Sequence, residues 1–101
     1  MSVVLRTIAL TSLLLAAQAF AQIPAPGSKV PDAATAIRIA VSAWEPIYGR
    51  EQISKQAPYV ATLASGVWTV QGTLPKGFLG GVATAAISAT DGRVRSIAHG
   101  R

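Results

Sequence analysis

The sequence predicts an α+β domain in which one long amino-terminal helix packs on a four-stranded antiparallel meander. Three observations carry that expectation. Ile37, Ala40, Val41, Trp44 and Tyr48 recur at spacings of three and four, the mark of one apolar helix face. From Tyr59 onward the period becomes two, with Tyr59, Ala61 and Leu63 on one side of a strand and Trp68 and Val70 on one side of the next. Turn chemistry at Ser65-Gly66, Pro75-Lys76-Gly77 and Asp91-Gly92 then divides the remaining chain into short strands.

Residues 1–21 read as a cleavable secretion signal. Arg6 supplies the positive start, Ile8 to Ala17 the apolar stretch, and Ala19-Phe20-Ala21 the small-residue cleavage pattern. Cleavage after Ala21 leaves Gln22 first and a periplasmic or secreted protein with no membrane span. The apolar stretch is shorter than the roughly 20 residues a spanning helix needs, and the alternative is an uncleaved amino-terminal anchor. Without cysteine no lipid can be attached in the lipoprotein manner. Residues 22–31, with three prolines and a glycine, read as a linker with little to bury, and residues 32–101 as a single domain.

Asp32 is placed to cap the first helix by accepting from backbone N–H groups of its first turn. Arg38, Ser42 and Glu45 fall on the face away from the apolar stripe. Pro46 lacks an N–H and collides with the carbonyl four residues back, so the helix is expected to stop near Glu45 or bend, with Tyr48-Gly49 closing it. Residues 50–57 are polar apart from Ile53 and fit one short helical turn. The hairpin over Tyr59 to Val70 follows, then a connection from Gly72 to Gly81, a third strand from about Val82 to Ala89, a two-residue turn at Asp91-Gly92 and a final strand from Arg93 to about Ala98. Gly72 is expected to mark a bulge or strand end. Strict alternation on the last strand sets Val94, Ser96 and Ala98 on one side and Arg93, Arg95, Ile97 and His99 on the other, the latter being the expected solvated face.

Composition narrows the chemistry. Of nine basic residues Arg6 lies in the signal, which leaves eight against four acids, a net charge of +4 for the exported part. Those charges are dispersed, which favours an acidic partner by long-range attraction but not nucleic acid, which is usually met by a clustered patch. With no cysteine, thiol catalysis and disulfide staples are both excluded, and packing must stabilise a domain of this size. One histidine, His99, and four scattered acids offer no metal-ligand spacing and no nucleophile elbow. Glu45 and Glu51 flank Pro46 and read as solvated carboxylates rather than an acid pair. Gly80-Gly81 lacks the spacing of a phosphate-binding loop. No cofactor is expected. Arg93 and Arg95 form a short basic ladder, either a solubilising face or a docking face for an acidic partner. Phe78, beside Lys76 in a turn-rich loop, is expected to tuck under the hairpin, the alternative being an exposed apolar anchor.

Taken in order, Ala36-Ile-Arg-Ile-Ala40, Tyr48-Gly49, Ile53, Pro58-Tyr59, Trp68-Thr-Val70-Gln-Gly72-Thr-Leu-Pro75, Gly80-Gly81-Val82 and Asp91-Gly92-Arg93-Val94 resemble the small bacterial immunity domains of the nuclear transport factor two fold. The resemblance spans about Ala33 to His99. It implies a curved, shortened cone-like sheet, also called cystatin-like, packed on a helix. It further implies a non-catalytic protein of a polymorphic toxin system whose partner is a cognate toxin, neutralised by occlusion. Lys76, Phe78, Arg93 and Arg95 are the candidate partner-binding residues. Two other readings compete: a peptidase-propeptide-like (PepSY) module that binds a peptidase or another envelope protein, and a small-ligand enzyme on the same cone, for which His99 is the sole candidate base.

Overall fold

The structure, a computed structural model, describes residues 22–100; the segment read as a secretion signal and Arg101 lie outside them. Two helices, α1 (Ala33–Tyr48) and α2 (Arg50–Ser54), precede strands β1 (Val60–Ala64), β2 (Val67–Gln71), β3 (Ala83–Ser88) and β4 (Val94–His99). The strands pair in chain order as one antiparallel meander, and α1 covers one face of it.

Helix α1 starts where Asp32 accepts hydrogen bonds from the Thr35 N–H (2.8 Å) and hydroxyl (2.6 Å), leaving one fewer unpaired donor in the first turn. Those bonds, the hydroxyl first, hold the Asp32 carboxyl below its ordinary range. The helix does not stop at Glu45: it runs through Pro46 to Tyr48 and ends at Gly49, whose φ of 95° only glycine adopts readily and whose N–H reaches the Glu45 carbonyl at 2.9 Å. Pro46 lies in the last turn, where its missing donor removes a single bond and three residues suffice to finish the helix.

The buried line of α1 is Ala36, Ala40 and Trp44. Two alanines meet the equally small Ala83 and Ala85 within the core, so helix and sheet can approach closely, and the bulk is concentrated in Trp44, Ile53, Val70 and Ile87. Trp44 satisfies its one donor by an Nε1–H bond to the Thr84 carbonyl (3.1 Å) and stacks at a tilt on Tyr59, ring centroids 5.9 Å apart. Tyr59 donates to the Ile53 carbonyl (2.7 Å), which ties α2 to the entry of β1. Burial, with a smaller contribution from Glu45, raises the Tyr59 hydroxyl above its ordinary pKa.

The first hairpin turns at Ser65 (φ 50°) and Gly66 (φ 76°), the pair of positive angles that a two-residue loop needs to follow strand twist. The second turn is wider than expected. Ala89–Arg93 connect β3 to β4, with the Gly92 N–H bonded to the Ser88 carbonyl and the Asp91 carboxylate accepting from the Arg93 N–H, both at 2.9 Å. That side-chain bond, the main cause of a lowered Asp91 pKa, stabilises a one-turn helical reversal in place of a two-residue hairpin.

A bulge then overturns the expected alternation of β4. Ile87 pairs with Val94 but Ala86 pairs with Ser96, so Arg95 is the extra residue. Its insertion shifts the phase by one: Ile97 and His99 lie opposite Ala85 and Ala83 on the helix-covered face, and Val94 shares that face opposite Ile87. The segment read as a linker also contributes to the core. Val30 is fully buried; its N–H bonds the Ala89 carbonyl (3.0 Å) and its carbonyl accepts from Trp68 Nε1 (2.9 Å).

Candidate functional site

The four residues expected to meet a partner do not converge. Lys76 and Phe78 lie in the loop joining β2 to β3, beside the start of β3, whereas Arg93 and Arg95 lie at its other end, where the β3–β4 turn enters the bulge. Six strand residues separate the two ends, roughly 20 Å at the usual rise. All four side chains belong to exposed residues. Phe78 is not tucked under the hairpin: it is 60% exposed, and Leu79 beside it is 99% exposed. Pro75-Lys76-Gly77-Phe78 closes a tight turn, with the Phe78 N–H on the Pro75 carbonyl (3.1 Å) and Gly77 at φ 83°. Both apolar residues are left outside the core.

The loop end is also where the surface is concave. A groove with a cavity of about 150 Å³ runs between α2, this loop and the end of β4; Leu74, Phe78 and Leu79 form one wall and Gln52, Lys55 and Gln56 the other. It opens toward a shallower depression bounded by Tyr48 and His99. The floor is held by Gln56, which is 7% exposed. Gln56 Oε1 accepts from the Ala83 N–H (2.8 Å), so its Nε2, 3.3 Å from His99 Nε2, must be the donor there. His99 Nε2 is then an acceptor and the ring proton sits on Nδ1, 2.9 Å from the Gly100 carbonyl. The Tyr48 ring, tilted at 54° with its centroid 5.1 Å away, packs on the other side of the imidazole. Gly72 permits this arrangement: a Cβ there would collide with Gln56 Oε1 and lie 2.8 Å from Gln56 Cβ, so the glycine marks a close approach as well as a strand end.

Both nitrogens of His99 are engaged, and no carboxylate lines the groove. Glu45 forms an ion pair with the exposed Arg50 (3.8 Å), not an acid pair with Glu51. Among the described residues no three histidine or acidic side chains converge as metal ligands, and no helix is long and apolar enough to cross a membrane.

Of the four residues expected to meet a partner, only Phe78 lines the groove; Leu74, Leu79, Lys55 and Gln56, which also line it, were not among them. The adjacent apolar pair Phe78-Leu79 in a Pro- and Gly-rich loop was a readable signal, since such a loop cannot bury both. Gln56 gave none, because its role depends on strands far away in sequence.

Comparison with curated proteins finds no match, and neither does comparison with solved structures. A family model does match: residues 35–101, from the first turn of α1 past the end of β4, fit the family described as NTF2 fold immunity protein. The helix-on-meander architecture agrees with that fold, and the match covers most of the chain; this protein belongs to the NTF2 fold immunity protein family, whose role is to neutralise a toxin.

Proposed function

We propose that this is an exported immunity protein that binds a cognate toxin outside the cytoplasm and occludes it without catalysis, meeting it with the β2–β3 loop end of the sheet. The observation that carries this reading is the exposure of Leu74, Phe78 and Leu79 together around a groove that Lys55 also lines, with exposed Lys76 in the same loop. Large apolar side chains held in solvent at one place, rimmed by charge, are the usual anchor of a protein interface. The signal-like residues 1–21 support the extracytoplasmic location. Arg93 and Arg95, at the far end, serve as steering charges for an acidic partner.

The test is capture of partners by the tagged protein in the envelope of its host, followed by titration of the captured protein's activity. A toxic activity that falls stoichiometrically supports the reading. Phe78→Ala and Leu79→Ala should each weaken the complex at least about 30-fold, the scale of a hot spot worth 2 kcal/mol. Arg93→Ala and Arg95→Ala should mainly slow association and change its salt dependence. Capture of a peptidase that the protein inhibits would favour the peptidase-associated alternative, and turnover of a small ligand requiring His99 would favour the enzyme.

A further inference from the structure

Two donors at the groove have no described acceptor, the second amide hydrogen of Gln56 and the Lys55 ammonium, and they indicate what enters it. Gln56 is more than nine-tenths buried, and its amide orientation is set by Ala83 and His99. A primary amide nitrogen carries two hydrogens. His99 takes one; the other has no acceptor among the described hydrogen bonds, although Gln56 lines the groove. Lys55 lines it too, and the single salt bridge among the described residues joins Arg50 to Glu45, so no described carboxylate neutralises the Lys55 ammonium. The facing wall of Leu74, Pro75 and Phe78 is apolar. About 150 Å³ is room for a group of roughly benzene size, one side chain rather than a folded segment.

We propose that this groove is a receptor for one acidic side chain, glutamate by its reach, presented by the protein partner. The carboxylate meets the Lys55 ammonium and the free Gln56 N–H in charge-assisted bonds, while its methylenes lie on Leu74 and Phe78. An anion without an apolar stem would leave that wall unused. The inference rests on the loop end being the partner-facing surface, and it adds the chemistry of the residue recognised there.

The experiment is a titration of the isotopically labelled protein, followed through the side-chain amide resonances of Gln56 and Gln52, with two probes: the α-amide of N-acetylglutamate and that of N-acetylglutamine. The glutamate probe should shift the Gln56 amide saturably, and at least tenfold more tightly than its neutral counterpart. Lys55→Gln, at an exposed position where the fold is unaffected, should abolish that preference. Equal binding of both probes, or no shift of the Gln56 amide, overturns the proposal. The partner recovered by capture supplies a second arm: Lys55→Gln should weaken that complex at least tenfold. If glutamate binds but the complex is indifferent to Lys55→Gln, the groove is a site for free small acids and the partner assignment falls. If no toxin is captured while the probe still binds selectively, the immunity reading fails and the carboxylate site stands.

Discussion

Substituting Gly72 by alanine tests the packing that builds the groove floor. The added Cβ would press on Gln56 Oε1 and lie 2.8 Å from Gln56 Cβ, and Gln56, at 7% exposure, has little freedom to swing aside. Displacing it breaks the 2.8 Å bond that satisfies the buried Ala83 N–H. An unsatisfied buried donor costs about 1–3 kcal/mol, and overpacking adds about 1–3. Partial relaxation brings the expected loss to about 2–4 kcal/mol. In a domain of this size each kcal/mol lowers the melting temperature by about 4–8 °C, so the change is well within reach of thermal or urea denaturation. The double variant Gly72→Ala, Gln56→Ala separates the two contributions. Truncating Gln56 removes its Oε1 and the bond that Oε1 makes but keeps its Cβ 2.8 Å from the new methyl, so Gly72→Ala should cost about 1 kcal/mol less in that background, the Oε1 part of the clash alone and roughly the coupling expected of residues in contact. A Gly72→Ala loss below about 0.5 kcal/mol, or strict additivity in the double variant, would refute the reasoning.

Other expectations follow from single contacts. Trp68→Phe removes the 2.9 Å bond to the Val30 carbonyl and should cost about 1–3 kcal/mol, with amide exchange at Lys29 and Val30 accelerating more than exchange in α1. Asp32 has a carboxyl whose pKa is lowered in the folded state, so its contribution is present above the unfolded value and fades as pH falls through the folded one; the stability difference between the protein and Asp32→Ala should shrink as pH falls below about 4. A pH-independent difference there would refute the capping role. Ser65→Asn places a residue more tolerant of positive φ at the first turn position and should raise stability by up to about 1 kcal/mol in urea melts, since Ser65 sits at φ 50°.

The sequence by itself determined the elements and their order, because each is specified by residues close together in the chain. Asp32 and the apolar spacing of Ile37, Ala40, Val41, Trp44 and Tyr48 define α1, although the line it buries is Ala36, Ala40 and Trp44; Ser65-Gly66 defines the first hairpin, and Ile53 marks the short helix α2. It also held the order of residues by which the family is recognisable over residues 35–101. Where it failed, a non-local contact competed with a local rule. Val30 leaves the linker because Trp68 and Ala89 supply partners for its backbone. The bulge at Arg95 reassigns the faces of β4 because one inserted residue reverses a period of two, and no composition signal marks where a ladder slips. The groove belongs wholly to tertiary structure. Gln56, Phe78 and His99 meet only once the sheet has set the end of β4 beside α2 and the β2–β3 loop, and a buried amide takes its orientation from partners 27 and 43 residues away.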